Sequence, residues 1–124
     1  MIDLQLQGHT AIISLNRPPA NTFSIEGLRA FRDTVLRLDA DRSLRALVIT
    51  GTGTKFFSAG ADLHTFADGD RSKAWDMIQA FGAAFETLAN SRLITLAAIN
   101  GYAMGGGLEC ALATDTRIAE EGAQ

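Results

Sequence analysis

Several features that would assign a chain quickly are scarce in this sequence. Cys110 is the one cysteine, so no disulfide can form within the chain and a reducing compartment fits. The two histidines, His9 and His64, belong to no cluster with ligand spacing, so we expect no metal site. No apolar run approaches membrane-spanning length, and residues 1–10 lack the basic start and apolar core of a signal peptide. We therefore expect a soluble cytoplasmic protein.

Charge of one sign is also scarce. The formal net charge is −3, and the positive residues are scattered rather than clustered. This removes the electrostatic case for binding nucleic acid or an anionic membrane. The 124 residues are 47% hydrophobic and 20% charged, which is ordinary for a soluble globular protein and enough for one domain at most, or part of one.

Hydrophobic periodicity predicts strands and helices in the order ββ–α–β–α–β–α–β. Alternation over 2–7 predicts a half-buried strand, which a Gly8-His9 turn joins to a second strand at 10–15. Buried strands are predicted at 44–50 and 93–100, and a last short strand at 116–121. Continuous apolar strands that alternate with helices indicate an α/β layered domain.

Three helices are predicted between these strands. Ser24 is the expected N-cap of the first helix, and Ser72 that of the second. A third helix is expected near 106–114, after the glycine triplet. The apolar face expected on the second helix consists of Trp75, Ile78, Phe81, Phe85 and Leu88. Since nothing in the chain follows the last strand to cover it, we expect a fragment or a truncated form of a larger domain.

The segments between these elements contain incomplete versions of familiar motifs. Pro18 and Pro19 make 16–24 an irregular loop, and 51–63 reads as a long glycine-containing loop. The latter does not fit a dinucleotide-binding glycine loop, because Phe56 stands at the third glycine position. It does not fit a phosphate-binding loop either, because Lys55 is preceded by Thr54 and followed by Phe56. Ser58 lacks the first glycine of a nucleophile elbow and is interpreted as a loop hydroxyl that bonds to nearby backbone. Cys110 is interpreted as a buried, inert thiol.

Two loops of small residues follow the two buried strands. If those strands run parallel, Ala59–Leu63 and Gly105–Glu109 leave the same edge of the sheet and can converge on one site. Their backbone N–H groups, unobstructed by side chains, could form an oxyanion hole, with Glu109 one turn into the third helix as a general acid or base. A packing turn with a first-turn acid explains the same spacing, and spacing alone favours it.

Three segments carry a resemblance to a known family: LNRPPANTFS, FFSAGADL and AAINGYAMGGGLECALATDTRIAEE. Together they resemble the crotonase superfamily of enoyl-CoA hydratases and isomerases, in the family's order and across essentially the whole chain. The resemblance implies a crotonase-like spiral of ββα units. Residues 1–124 would be a single partial domain, the N-terminal portion without the C-terminal helical region. It also implies acyl-CoA thioester substrates, with coenzyme A as part of the substrate and no separate cofactor.

The resemblance also implies roles for individual residues. The amides of Ala61 and Gly106 would stabilise an enolate-like intermediate, and Glu109 matches the first of two catalytic glutamates. The presence of Glu109 favours hydration of a 2-enoyl-CoA over isomerisation. Eight further positions would contact the substrate, and Ala20 and Thr22 among them lie near its nucleotide end. These positions are Ala20, Thr22, Ala59, Gly60, Asp62, Leu63, His64 and Gly105.

The sequence departs from the family pattern in two ways. His64 stands where many members carry a lysine that meets the CoA phosphates. The second catalytic glutamate and the segments that build the family's trimers or hexamers lie beyond these residues. We therefore expect little or no hydratase activity from this chain alone. The alternatives are a non-catalytic acyl-CoA-binding or assembly module, or an incompletely represented piece of a full enzyme.

Overall fold

The computed structural model describes all residues, Met1–Gln124. The structure has seven strands and three helices. The three helices and five of the strands follow one another in the predicted order, and two short strands, Phe56–Ser58 and Tyr102–Ala103, are added between them. In chain order they are β1 (Ile2–Gln7), β2 (Thr10–Leu15), α1 (Ile25–Ala40), β3 (Ala46–Gly51), β4 (Phe56–Ser58), α2 (Arg71–Ala89), β5 (Ile94–Ile99), β6 (Tyr102–Ala103), α3 (Gly106–Leu112) and β7 (Thr116–Ala119). A short 3₁₀ helix, Leu63–Phe66, precedes α2. No helix combines the length and the apolar character needed to cross a membrane.

Five of the strands form one sheet in the order β1-β2-β3-β5-β7. The hairpin β1–β2 is antiparallel, as predicted, and pairs Gln7 with Thr10. The remaining pairs are parallel, with β3 lying directly beside β5. The two buried strands expected to share an edge are therefore neighbours, and their carboxyl ends deliver the chain to the same side of the sheet.

Helices α1 and α2 pack together over this sheet. The Oγ of Ser24 accepts the Gly27 N–H at 3.0 Å and caps α1, as predicted. Aromatic edges interlock between the helices, since Phe31 of α1 meets Phe85 of α2 at a centroid distance of 6.2 Å and an interplanar angle of 90°. The core is therefore a single apolar layer between the helix pair and the sheet.

The predicted orientation of α2 is wrong at its first two turns. Trp75 and Ile78 are 62% and 61% exposed, whereas Met77 is 1% exposed and faces the core. Asp70 rather than Ser72 caps the helix, because its side chain accepts the Ser72 N–H at 2.8 Å. Two apolar stripes at helical spacing run along α2 and share Phe85 and Leu88, so periodicity alone could not decide which one is buried.

The apolar residues that alternate along β1 are also less buried than the sequence pattern predicts. Leu4 and Leu6 are 45% and 57% exposed, and only Ile2 packs against the core. Because β1 is an edge strand that pairs with β2 alone, its outer half has no neighbour to cover it. The pairing register was predictable, and the half-buried state was not.

The predicted long loop at 51–63 contains a strand. Its residues Phe56–Ser58 pair in parallel with Tyr102–Ala103 as a separate two-stranded sheet. Two glycines make room for this pair. A Cβ on Gly51 would lie 2.3 Å from the Phe56 carbonyl oxygen, and one on Gly101 would lie 2.3 Å from the Lys55 carbonyl oxygen. Strands β4 and β6 thus tie together the two loops that sequence reasoning singled out.

Candidate active site

The two loops and the proline loop enclose one cavity of about 660 Å³. The cavity brings together nine of the eleven predicted site residues: Ala20, Thr22, Ala59, Ala61, Asp62, Leu63, His64, Gly105 and Gly106. Gly60 is buried behind this lining, and Glu109 is not part of it. Arg17, Pro18 and Pro19 complete the wall.

The backbone around Ala61 is fixed by a single-residue bridge to Phe23. The Phe23 N–H donates to the Gly60 carbonyl at 2.7 Å, and the Asp62 N–H donates to the Phe23 carbonyl at 2.9 Å. In a parallel bridge, the residue between two such bonds directs its own N–H to the opposite side. The Ala61 N–H accordingly donates to no acceptor in the chain and is left on the cavity side.

Gly106 supplies a second unpaired N–H. It is the first residue of α3, where backbone N–H groups have no partner within the helix. Its N–H also donates to no acceptor elsewhere in the chain. Two amides that lack internal partners therefore border the same cavity, which is the arrangement that stabilises negative charge on a bound oxygen.

Glycines allow the two amide loops to approach each other. Gly60 has φ +95°, and a Cβ there would lie 2.8 Å from the Met104 carbonyl oxygen and 2.9 Å from the Gly106 nitrogen. A Cβ on Gly107 would lie 2.1 Å from the Ser58 carbonyl oxygen. The Met104 N–H donates to that same carbonyl at 3.0 Å. The glycine triplet is thus both a packing device and the frame of the second amide.

Asn21 and Ser58 support the first loop from behind. Asn21 is 2% exposed, and its Nδ2 donates to the carbonyls of Thr52, Phe56 and Phe57 at 3.0, 3.1 and 3.3 Å. Ser58 Oγ donates to the Asn21 carbonyl at 2.8 Å and accepts the Gly60 N–H at 3.1 Å. Ser58 bonds to nearby backbone, as predicted, but it does so from the last residue of β4 and not from a loop. Sequence reasoning missed Asn21, whose only signal was an amide in a proline loop.

One ion pair crosses the wall of the cavity. Arg17 Nη2 lies 2.7 Å from Asp62 Oδ2, while Arg17 Nη1 donates to Thr22 Oγ1 at 2.7 Å. The hydrogen bond from Arg17 is the main reason that the pKa of Asp62 lies below its ordinary value, and it outweighs the opposing effect of burial. Asp62 Oδ1 also accepts the His64 N–H at 3.1 Å. Asp62 is a predicted substrate contact, and both of its carboxylate oxygens have hydrogen-bond partners within the chain.

Glu109 and His64 are both open to solvent. Glu109 forms no side-chain hydrogen bond or ion pair within the chain. It shares the exposed side of α3 with Leu108 and Leu112, which are 45% and 60% exposed. His64 lies on the 3₁₀ helix at the cavity edge, with its ring exposed. Glu109 is therefore close in sequence to Gly106 but lies outside the cavity.

Cys110 is completely buried in α3. Burial raises the pKa of its thiol to about 12, so the reactive thiolate is not populated near neutral pH. We expect no reaction of the native protein with Ellman's reagent at pH 8 and one equivalent of released thiolate after unfolding in guanidinium. Rapid labelling of the native protein would contradict this prediction.

In this α/β chain, a mostly parallel sheet leads two unpaired amides to one cavity, and such an arrangement can bind an oxygen that carries negative charge. Comparison with known proteins identifies the family of the chain. The model of the enoyl-CoA hydratase/isomerase family matches residues 5–124, and the chain belongs to that family. The resemblance to the crotonase superfamily and the predicted fold class are both confirmed.

Individual relatives share both sequence and fold with this chain. Carnitinyl-CoA dehydratase from Proteus mirabilis is 38% identical over 122 residues, which cover 98% of this chain and 46% of that protein. The structure of Pseudomonas aeruginosa DspI matches with a TM-score of 0.96 and 55% identity, covering 98% of this chain and 50% of DspI. An enoyl-CoA hydratase from Bacillus anthracis matches with a TM-score of 0.95 and 34% identity, covering 98% and 48%. The chain thus spans about half the length of the relatives that it matches.

Proposed function

We propose that this chain carries the thioester-binding half of an acyl-CoA-processing enzyme, in which the Ala61 and Gly106 amides bind the thioester oxygen. The observation that carries the proposal is the pair of N–H groups that have no acceptor in the chain and border one cavity. An oxygen placed between them would accept two hydrogen bonds. Since a thioester oxygen gains negative charge when an enolate forms, such donors stabilise the transition state more than the ground state.

Hydration of a 2-enoyl thioester is the reaction that we favour. A water oxygen bonds to C3 of the substrate while the water gives up a proton, and C2 then receives a proton as the enolate collapses. Glu109 is the carboxylate that would hold or move one of these protons. Asp62, the one carboxylate that lines the cavity, is engaged by Arg17 and is unsuited to that task.

The exposed position of Glu109 bears on the activity of this chain alone. Proton transfer in a water-filled setting lacks the fixed geometry that makes general acid–base catalysis effective. We therefore expect the 124-residue chain to bind acyl-CoA thioesters with little or no hydration of crotonyl-CoA. Trimers or hexamers are proposed only for a form with the full length of the relatives.

A non-catalytic acyl-CoA-binding module is the second candidate. The observation in its favour is that Glu109 lies on an exposed helix side, outside the cavity. Calorimetry with butyryl-CoA and with free CoA, alongside a hydration assay with crotonyl-CoA, separates the candidates. In a protein extended to the full length of the relatives, tighter binding of butyryl-CoA than of free CoA, with no hydration of crotonyl-CoA, supports the binding module. Hydration of crotonyl-CoA excludes it. Equal affinity for butyryl-CoA and free CoA would contradict the thioester site itself.

The role of Glu109 is tested by a single substitution. In a form extended to the relatives' full length with the second half of DspI, Glu109→Gln should lower kcat for crotonyl-CoA by about 10²-fold or more, because the amide cannot exchange a proton. Affinity for butyryl-CoA should change little. Glu86→Gln, on an exposed position of α2, is the matched control and should leave kcat unchanged. Full hydration by Glu109→Gln would remove Glu109 from the mechanism.

A further inference from the structure

The Arg17–Asp62 pair adjoins one of the two proposed oxygen-binding amides. Asp62 directly follows Ala61, so the contacts of Asp62 restrain the backbone torsions of Ala61, which relate the peptide of Asp62 to the peptide that carries the Ala61 N–H. Its side chain is only 13% exposed, and its partner Arg17 comes from a loop 45 residues earlier in the chain. The pair thus adds a side-chain link between two loops whose backbones meet at the Phe23–Ala61 bridge.

We propose that Asp62, held by Arg17, is a positioning residue that fixes the Ala61 amide toward a bound thioester oxygen. This inference rests on the proposed function. It assigns to Asp62 no contact with substrate. Its effect passes through the backbone of the neighbouring residue.

Every polar group of Asp62 other than its carbonyl has a partner. Its N–H donates to the Phe23 carbonyl at 2.9 Å, and its two carboxylate oxygens accept from the Arg17 guanidinium at 2.7 Å and the His64 N–H at 3.1 Å. The bridge to Phe23 holds the peptide groups on both sides of Ala61 along one edge. The carboxylate contacts add two further points of attachment, at the Arg17 guanidinium and at the His64 N–H, which fix the orientation of this segment toward the cavity.

Arg17 is fixed from the other side as well. Its Nη1 donates to Thr22 Oγ1 at 2.7 Å, and its backbone N–H donates to Asn21 Oδ1 at 3.1 Å. The guanidinium therefore bridges the proline loop and the Ala61 loop in a planar, two-pronged geometry that a lysine cannot reproduce. Because the Asp62 carboxylate has a pKa below its ordinary value, the pair persists down to pH values at which a free aspartate is already protonated.

A competing role for Arg17 is to bind the phosphates of CoA directly. The two roles predict different effects of Asp62→Asn on the affinity for free CoA. Removal of the carboxylate frees the guanidinium, so a phosphate-binding Arg17 would bind free CoA more tightly. A positioning pair would leave free CoA affinity unchanged and would affect only the thioester carbonyl.

The experiment uses the 124-residue chain with 2,4-hexadienoyl-CoA, whose absorption moves to longer wavelength when its carbonyl is polarised. At saturating protein, the unaltered chain should shift the spectrum. Asp62→Asn, which keeps an oxygen for the His64 N–H, should reduce that shift by about half or more, because one of two donors is misplaced. Arg17→Lys should give an intermediate shift. Affinity for free CoA should stay within about twofold in both variants.

Asp68→Asn is the matched control, since Asp68 follows Asp62 by six residues, pairs with Lys73 and does not line the cavity. It should leave the spectral shift unchanged. A full shift in both Asp62→Asn and Arg17→Lys would overturn the positioning role while leaving the thioester site intact. Tighter binding of free CoA by Asp62→Asn would assign the pair to phosphate binding. Absence of a shift in the unaltered chain would instead overturn the proposed function, and this inference with it.

Discussion

Gly60→Ala is expected to destabilise the fold by about 2–4 kcal/mol and to abolish polarisation of a bound thioester. Two costs add at this position. The φ of +95° is unfavourable for any residue with a side chain, and the new Cβ would lie 2.8 Å from the Met104 carbonyl oxygen and 2.9 Å from the Gly106 nitrogen. Both neighbours are backbone atoms, so neither can move without shifting the start of α3. The methyl group would therefore push apart the two loops that hold the amides.

Gly53→Ala provides the control, because it separates backbone strain from the close approach. Gly53 has a similar φ of +87°, but its Cβ would meet nothing within 4 Å. It should cost only about 1–2 kcal/mol and leave the hexadienoyl-CoA shift intact. Urea denaturation and the difference spectrum measure the two effects. If Gly60→Ala and Gly53→Ala have the same stability in urea and the same hexadienoyl-CoA spectrum, the loops do not depend on the contact between residues 60 and 106.

Element order and the β1–β2 hairpin could be predicted because the larger elements have strong periodic signals. The predicted ends of the helices and of the five main strands lie within about two residues of the observed ones, the usual uncertainty for such boundaries. Strands β4 and β6 could not be predicted. They contain three and two residues, too few to show alternation, and they pair across more than forty residues of sequence. Their positions are encoded in close contacts at Gly51 and Gly101, which a sequence does not display.

The sequence indicated which backbone segments meet, but it did not indicate the side-chain contacts between them. Small residues after two predicted strands pointed to Ala59–Leu63 and Gly105–Glu109, and the family resemblance singled out Ala61 and Gly106 within these loops. Both residues line the same cavity. The Arg17–Asp62 pair joins residues 45 positions apart, and no local sequence pattern predicts it. Glu109 was assigned to the site by the family resemblance, whereas its spacing from Gly106 alone favoured a packing turn with a first-turn acid. Spacing places a residue on a helix, but the covering of that helix decides whether the side chain faces a cavity or solvent.

Asn21→Ala is the second substitution with a large expected effect, about 3–5 kcal/mol of lost stability. Asn21 combines a positive φ of 51° with a buried amide that donates to three carbonyls. Alanine loses the amide and also strains the backbone, whereas glycine loses only the amide. Asn21→Gly should therefore cost about 2–3 kcal/mol, and the gap between the two variants should be about 1–2 kcal/mol, the cost of a left-handed conformation for a residue with a Cβ. Urea denaturation of both variants measures the two components.

Asn21→Asp tests whether the donated hydrogen bonds, rather than the shape of the side chain, are responsible. Aspartate has nearly the same size, tolerates positive φ, and keeps an oxygen for the Arg17 N–H. It replaces the donor with a negatively charged acceptor that faces the Thr52, Phe56 and Phe57 carbonyls. Near neutral pH this near-isosteric change should be more damaging than glycine, because burying a charge against acceptors costs more than leaving the carbonyls unpaired. If Asn21→Asp is as stable as the unaltered chain, Asn21 fills space at this position and does not hold the loop.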